Sequence, residues 1–208
     1  MLNFPLAAHV PASHPVLGAM FEARKRVFVD LLGWDVPVLK GSYEVDQFDT
    51  EDAVYIVLTD DRGRHRASTR LLRSEGPHIL GTLFPALCEH GVPTGPKVRE
   101  ITRFCIEPTL SRPERRLARD ELVSAVADHA LRAGIDSYTA VATRGWFSQV
   151  ARFGWDCRAL GPGRHIGEEN LIALRIDIAA DTPALLAGRG IYRKSAFHIL
   201  DAAMEPVS

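Results

Sequence analysis

The chain has 208 residues, of which 46% are apolar and 25% are charged, and its formal net charge is −1. This composition excludes an intrinsically disordered chain, and the length suits one domain with a full hydrophobic core, so we predict a single domain over residues 1–208. The near-neutral charge argues against nucleic acid as a partner, because non-specific binding to it needs a clearly basic surface.

The start of the chain, MLNFPLAAHVPASHP, lacks a basic head followed by a long apolar run, so it does not resemble a signal peptide. No stretch reaches the roughly 20 apolar residues of a membrane span. Cys88, Cys105 and Cys157 are widely spaced, which argues against a zinc site and a disulfide framework. These features predict a cytoplasmic protein without a metal or a membrane partner.

The first half of the chain predicts a helix, a loop and a hairpin, in that order. Apolar residues at helical spacing indicate an amphipathic helix over 20–32, which Gly33 can end. The segment 33–52 has no clear periodicity and predicts a long ordered loop, a feature that is usually functional. Residues 53–59 and 65–73 are rich in β-branched and alternating residues and predict a β-hairpin.

The second half alternates between strand and helix patterns. In chain order we predict a helical turn (83–88), a strand (98–106), a long helix (113–132), a strand (137–143), a helix (146–153), a strand (171–178) and a helix led by Pro183. This order of elements predicts an α/β fold, specifically a three-layer α/β/α sandwich on a mixed sheet.

An acidic motif, E-V-D-Q-F-D, lies in the predicted loop and contains Glu44, Asp46 and Asp49. Three carboxylates so close together could bind a metal, hold an ammonium group or pair with arginines. The glycine and the further acidic ligands of a calcium-binding loop are missing, so we predict no metal.

Three arginines are candidates for pairing with these acids. Arg70 and Arg103 lie in apolar predicted strands, where an unpaired charge would cost several kcal/mol. Arg24 could reach a loop carboxylate, or it could be an ordinary surface residue. Glu100 is three positions before Arg103. A regular strand would direct the two side chains to opposite faces, and only a β-bulge would bring both into one cleft.

Five segments together resemble the acyl-homoserine-lactone synthases, the LuxI-type autoinducer synthases of bacterial quorum sensing. They are R-K-R-V-F-V-D-L-L-G-W-D from Arg24, Y-E-V-D-Q-F-D-T from Tyr43, T-R-L-L around Arg70, L-F-P-A-L from Leu83 and R-E-I-T-R-F from Arg99. The resemblance extends over about residues 20–160, in the family's order and spacing. It implies a fold related to the GNAT acetyltransferases.

The resemblance also implies a reaction. The amine of S-adenosylmethionine attacks an acyl thioester on acyl carrier protein or coenzyme A, and its carboxylate then closes onto the γ-carbon. The products are an N-acyl-L-homoserine lactone, methylthioadenosine and a free thiol. S-adenosylmethionine is a co-substrate in this reaction, and no cofactor is implied.

Family landmarks and this chemistry together assign the site residues. We expect Glu100 to be the general base, directly or through a water, with Thr102 and Arg103 as its catalytic neighbours. Asp46 and Asp49 are expected to order the loop by pairing with Arg24 and Arg70, although Phe28 and Trp34 could be plain core residues. The expected S-adenosylmethionine site is Arg24, Phe28, Trp34, Asp46, Asp49, Arg70 and Arg103.

The acyl chain needs an apolar tunnel, although each candidate for it could instead be a core residue. The candidates are Phe84, Leu122, Val126, Ala140, Val141, Thr143, Trp146 and Phe147. In the family, a threonine at the position of Ala140 goes with 3-oxo chains, so alanine favours an unsubstituted or 3-hydroxy chain. Thr139 and Thr143 flank that position, and an alignment shifted by one residue would reverse this inference.

Acyl carrier protein is acidic, so basic residues are the candidates for its docking surface, and coenzyme A phosphates would suit the same charges. These residues are Arg112, Arg115, Arg116, Arg119, Arg144 and Arg152.

Two alternatives remain. A GNAT N-acetyltransferase would carry an R/Q-x-x-G-x-G/A pyrophosphate loop, but the corresponding I-E-P-T-L-S-R-P-E-R-R-L-A-R has no glycine. A non-catalytic acyl-binding protein would not need the acidic loop together with Glu100 and Arg103.

Overall fold

The computed structural model describes residues 14–194 and 196–201, so most of the segment considered as a possible signal peptide lies outside the described residues. In chain order the elements are α1 (Pro15–Arg24), a π-helix (Lys25–Leu31), β1 (Val38–Leu39), β2 (Tyr43–Glu44), β3 (Val54–Thr59), β4 (His65–Arg73), α2 (Ile79–Leu83), a 3-10 turn (Pro85–Leu87), β5 (Val98–Ile106), α3 (Arg112–Ala133), β6 (Ser137–Thr143), α4 (Arg144–Val150), β7 (Asp156–Ala159), β8 (Arg164–Ile166), β9 (Glu169–Asp177), α5 (Thr182–Gly188) and β10 (His198–Asp201).

The chain divides into two compact units. Among the described residues, the first comprises 14–70, 103–122 and 196–201, and the second comprises 71–102 and 123–194. The division passes through β4, β5 and α3, so each of these elements contributes to both units. The single domain expected over the whole chain stays a prediction.

In the first unit, β10 pairs antiparallel with β3, and β4 is the next strand after β3. Pro15 occupies the first turn of α1, where its missing N–H would have had no intrahelical partner. One face of α1 is buried, including Met20, Phe21 and Arg24. The helix thus delivers a charged side chain into a largely apolar interior.

The predicted first helix changes its geometry after Arg24 and continues as a π-helix. Wider turns give hydrogen bonds such as that from Leu32 N–H to Val27 O, at 3.0 Å. The chain then folds back, with Trp34 N–H donating to Phe28 O at 2.8 Å. Gly33 has φ +68°, which is the left-handed conformation of a helix end. Phe28 and Trp34 are therefore brought side by side.

The loop predicted over 33–52 contains the short antiparallel pair β1 and β2, with Val38 opposite Glu44. Each strand has two residues, too few for an alternating pattern to be recognisable. The hairpin nevertheless fixes the place where the acidic motif begins.

The second unit contains a mixed sheet. Strands β5 and β6 are parallel, whereas β9 pairs antiparallel with β6, β7 and β8. Helix α3 contacts β6 through Tyr138, whose O–H donates to Val126 O at 3.1 Å. The predicted α/β class with a mixed sheet is confirmed. Within the described ranges, no helix is both long and apolar enough to span a membrane.

Candidate active site

Arg24 links helix α1 to the acidic loop. Its side chain is 1% exposed, and its Nε donates to Glu44 Oε2 at 2.5 Å. The two Nη atoms donate to the two carboxylate oxygens of Asp49, at 2.8 and 2.9 Å. Asp49 also accepts from Tyr55 O–H at 2.9 Å and from Asp46 N–H at 2.8 Å. This bidentate pair fixes the loop against the helix.

Arg70 makes the corresponding contacts from strand β4. It donates to the two carboxylate oxygens of Asp46, at 2.6 and 3.0 Å, and its Nη1 lies 2.7 Å from Asp49 Oδ1. Asp46 Oδ1 additionally accepts from Phe48 N–H at 2.8 Å, which tightens the loop. The expected pairing of Asp46 and Asp49 with Arg24 and Arg70 is therefore present, with Arg24 on Asp49 and Arg70 on both acids.

Arg103 completes the network from strand β5. Its Nη2 lies 2.9 Å from Glu44 Oε1 and 2.7 Å from Asp46 Oδ2. The backbone of Arg103 has φ +51°, a left-handed conformation that is uncommon outside glycine. Burial alternates through Glu100 and Thr102, but the next buried residue is Cys105. The alternation of burial thus breaks at Arg103, as it would at a β-bulge. A cleft shared by Glu100 and Arg103 stays a prediction.

Three guanidinium groups and three carboxylates balance in charge inside the first unit. Burial alone would raise the pKa of Asp46 and of Asp49, but Arg70 and Arg24 respectively lower both pKa values below the ordinary range. Burial and Asp49 together raise the pKa of the Tyr55 hydroxyl. Asp46 and Asp49 are therefore ionised at neutral pH, and Tyr55 remains a hydrogen-bond donor.

Glu44 pairs with arginines, one of the options that its motif left open, but it was not assigned to the expected S-adenosylmethionine site. Its side chain is fully buried and contacts both Arg24 and Arg103. The available signal was its place in the acidic motif, directly before the apolar Val45. Within the described chain, no cluster of His, Cys, Asp and Glu could hold a metal ion.

Arg103 lies at the open edge of this network. Its side chain is 9% exposed, against 1% for Arg24 and 0% for Arg70. Its guanidinium carbon lies 5.4 Å from the Phe28 ring centroid and 5.5 Å from that of Trp34. The two rings stack with their centroids 4.7 Å apart, and Trp34 is 43% exposed. A ligand can therefore reach aromatic surface beside a charged pair.

Glu100 and Thr102 are buried residues of β5 in the second unit. Both carboxylate oxygens of Glu100 accept backbone N–H bonds at 2.7 Å, Oε2 from Ile79 and Oε1 from Leu80. Glu100 thus holds the start of helix α2. Its role as a general base and the catalytic role of Thr102 stay predictions.

Two of the expected acyl-pocket residues pack together in the second unit. Phe84 and Val141 both contact a cluster whose buried members are Leu80, Leu87 and Ala173. Other half-buried side chains complete this apolar cluster; they are Cys88, Val92, Leu160 and Leu171. These residues were not predicted, because they lie on separate strands and turns without a common motif.

The other acyl candidates have different environments. Leu122, in the first unit, and Val126, in the second, are fully buried core residues, whereas Ala140 and Phe147 are half-buried. Trp146, also half-buried, makes an edge-to-face contact with Phe153. Thr143 is the N-cap of α4 and accepts from Trp146 N–H at 3.3 Å. Acyl binding by any of them stays a prediction.

The arginines expected to dock a carrier protein also differ in their contacts. In the first unit, Arg112, Arg115 and Arg116 are exposed, whereas Arg119 donates to Asp120 Oδ1 at 2.5 Å. Both candidates of the second unit, Arg144 and Arg152, are exposed, and Arg144 donates to Pro162 O at 2.6 Å. The exposed arginines are available for an acidic partner, and their docking role stays a prediction.

Comparison with known proteins gives consistent matches. The family model described as autoinducer synthase matches residues 9–184. An acyl-homoserine-lactone synthase of Ralstonia solanacearum is 32% identical over 173 residues, which cover 81% of this chain and 85% of the relative. The structure of a CoA-dependent acyl-homoserine lactone synthase, BjaI, with SAM and isopentyl-CoA has a TM-score of 0.77 and 25% identity, covering 93% of each chain.

A more distant structure shows the fold alone. A chain from Lactobacillus plantarum, assigned as an N-acetyltransferase, has a TM-score of 0.53 and 16% identity, covering 78% of this chain and 90% of that chain.

The fold and the matches define the chain as an α/β acyltransferase. More particularly, it belongs to the autoinducer synthase family. The predicted family, fold and enzyme class are confirmed.

Proposed function

We propose that the chain synthesises an N-acyl-L-homoserine lactone from S-adenosylmethionine and an acyl thioester. The observation that carries this proposal is the charge-balanced network that ends at Arg103, Phe28 and Trp34, in a chain of the autoinducer synthase family. The relative BjaI, whose structure holds SAM and isopentyl-CoA, supports the same pair of substrate classes.

S-adenosylmethionine carries a sulfonium, an ammonium and a carboxylate, and the exposed edge of the network offers a partner for each. The ring faces of Phe28 and Trp34 attract a sulfonium, with about 0.5–2 kcal/mol typical of a cation over an aromatic ring. Arg103 can receive the carboxylate, and Asp46 the ammonium. Arg24, Arg70 and Asp49 hold these groups in place and need not contact the ligand.

The acyl-transfer step forms a bond between the amine nitrogen and the acyl carbon and breaks the bond between that carbon and sulfur. The amine must first lose a proton, and Glu100 is the proposed acceptor, directly or through a water. Backbone N–H groups near the bulge at Arg103 are proposed to stabilise the oxyanion, with Thr102 bonding the thioester. In lactone closure a carboxylate oxygen bonds the γ-carbon while the bond from that carbon to the sulfonium sulfur breaks, and methylthioadenosine leaves. This step is intramolecular, so positioning supplies much of its rate.

The acyl donor is the less defined substrate. The apolar cluster around Phe84 and Val141 is the proposed place of the acyl chain. The exposed Arg112, Arg115 and Arg116 would suit an acidic carrier protein or coenzyme A phosphates. We also propose that the protein works in the cytoplasm, where both donors occur, with neither nucleic acid nor membrane as a partner.

The test is to incubate the purified chain with S-adenosylmethionine and acyl thioesters of short, medium and long chains. Each acyl chain is supplied in unsubstituted, 3-oxo and 3-hydroxy forms, as a thioester of coenzyme A and as a thioester of acyl carrier protein. We expect methylthioadenosine and a lactone in equal amounts. If methylthioadenosine is not released with any of the acyl donors, the proposal is refuted. Thiol release from acetyl-CoA without methylthioadenosine would favour an N-acetyltransferase, and binding without turnover would favour an acyl-binding protein.

The same assay separates the two kinds of donor. If the arginines dock an acidic carrier, kcat/KM with acyl carrier protein should fall steeply as salt is added, because exposed charges are screened over about 10 Å at 0.1 M salt. Equal salt dependence for both donors would argue against a carrier-specific surface.

A further inference from the structure

Helix α2 has no side-chain cap of its own. Its N-cap residue, His78, is extended, with φ −147° and ψ 163°, and makes no capping hydrogen bond. The His78 ring instead donates from Nδ1 to Gly76 O at 2.8 Å. The first N–H groups of a helix lack intrahelical acceptors, so a helix end inside the protein needs acceptors from elsewhere.

Glu100 supplies those acceptors from strand β5. The Ile79 and Leu80 N–H groups each donate to a different oxygen of its carboxylate, at 2.7 Å. These donors precede Glu100 by 21 and 20 positions, so the contact ties two separate segments together. The carboxylate is completely buried and lies where the helix dipole favours a negative charge.

The segment held in this way forms part of the apolar cluster proposed for the acyl chain. Leu80 directly follows Ile79, whose N–H is the first to bond Glu100, and Leu87 lies in the 3-10 turn that follows α2. Both are buried in that cluster, and Phe84 packs against it from the residue that joins the two turns. Loss of the hydrogen bonds from Ile79 and Leu80 to Glu100 would therefore displace the segment that contains Phe84.

We propose that Glu100 is a positioning residue of the acyl site, because its carboxylate anchors α2 and thereby sets the place of Phe84. The inference rests on the proposed function, and it gives Glu100 a second role beside that of general base. It predicts that Glu100 controls which acyl chains are accepted and how tightly they bind.

Two substitutions remove the anchor from opposite sides. Glu100→Gln keeps the size of the side chain but replaces one acceptor oxygen with an NH₂ group that opposes a backbone N–H. Ile79→Pro leaves the Glu100 carboxylate intact and removes only the Ile79 donor. Proline is accepted at the first helical position, and the extended His78 suits a residue before proline. Ile79→Ala, which keeps the N–H, is the matched control for lost side-chain packing.

The experiment measures kcat and KM for the acyl thioester and for S-adenosylmethionine, the acyl-chain preference, and the pH profile of kcat. We expect Glu100→Gln and Ile79→Pro to raise the thioester KM roughly tenfold, as for one lost charge-assisted hydrogen bond. Both should change the chain-length preference and leave the KM for S-adenosylmethionine nearly unchanged. Ile79→Ala should stay close to wild type. Ile79→Pro, which keeps the Glu100 carboxylate, should keep the acid limb of the pH profile, whereas Glu100→Gln should also lower kcat because it removes the proposed base.

The opposite pattern would overturn the proposal. That pattern is a thioester KM and a chain preference that stay unchanged in Glu100→Gln, while Ile79→Pro behaves like Ile79→Ala. If Glu100→Gln does not fold, the two Ile79 variants decide the question. If the wild type releases no methylthioadenosine, the proposed function fails. Hydrogen exchange then still tests the anchor, because the Ile79 and Leu80 amides should exchange faster in Glu100→Gln, and equal rates would refute it.

Discussion

Asp49→Asn should strongly destabilise the protein although it hardly changes the shape of the side chain. Asp49 Oδ1 lies within 2.9 Å of donors from Arg24, Arg70 and Tyr55, and Oδ2 accepts from Arg24 and from the Asp46 backbone. An asparagine NH₂ group in either position would face a donor. The variant also leaves one buried guanidinium charge without a counter-charge.

The expected loss of unfolding free energy is about 3–5 kcal/mol, the usual result of removing one partner from a buried ion pair. Because total stabilities are typically ~5–15 kcal/mol, this is a large share. For a chain of this size it lowers the melting temperature by roughly 6–20 °C. The measurements are urea unfolding, followed by tryptophan fluorescence, and thermal unfolding, both without ligand.

Asp136→Asn is the matched control. Asp136 is 65% exposed and lies 3.6 Å from Lys97, so its loss should change the unfolding free energy by less than about 0.5 kcal/mol. The double variant Arg24→Met with Asp49→Asn should be less destabilised than the sum of the single variants, since both charges of the pair are gone. If Asp49→Asn behaves like Asp136→Asn, Asp49 is not a central partner of buried arginines.

Two further predictions concern binding and acid stability. Trp34→Ala should raise the KM for S-adenosylmethionine about fivefold at little cost in kcat, as expected for about 1 kcal/mol of ring–cation attraction. Leu31→Ala, at a neighbouring residue that is 61% exposed, should leave that KM unchanged, and an equal effect of both variants would refute the role of the ring. Glu107 has its pKa lowered to about 2 by the nearby His65 ring and by Arg26, which donates to it at 2.7 Å. The unfolded chain then binds the proton more readily, so the stabilisation by Glu107 is full above about pH 4.5 and is lost as the pH falls towards 2. Glu107→Gln should flatten acid unfolding across that range, and an unchanged slope would contradict the assignment.

Long elements with a clear period could be predicted from the sequence. The strands β5 and β6 have the predicted bounds, because each is a long uninterrupted run without glycine or proline. The short strands β1, β2 and β8 have only two or three residues each, and their pairing depends on tertiary context. The change from α-helix to π-helix after Arg24 could not be predicted either, because amino-acid composition does not determine the hydrogen-bond register of a helix.

The candidate site shows the same division. The partners of Arg70 followed from elementary electrostatics, since an arginine in an apolar strand requires nearby carboxylates. A β-bulge between Glu100 and Arg103 could be named only as a condition, and the left-handed backbone of Arg103 was not foreseen, because no local residue choice requires it. The anchoring of α2 by Glu100 was not foreseen, since the donors are backbone groups of a distant segment. Ion pairing between side chains could thus be predicted from the sequence more readily than backbone geometry.

The closed pairing among Arg24, Arg70, Arg103 and the three loop carboxylates also limits how this protein can change. Any single substitution that changes the charge at one of these six positions leaves an uncompensated ion in the interior. Such variants should be strongly destabilised and therefore rarely survive selection. The binding pocket can therefore be changed mainly by substituting an acid and its partner arginine together, or by substituting the exposed Trp34. Laboratory evolution for new acyl acceptors should therefore vary Trp34 and its exposed neighbours first, and alter the buried ions only in pairs.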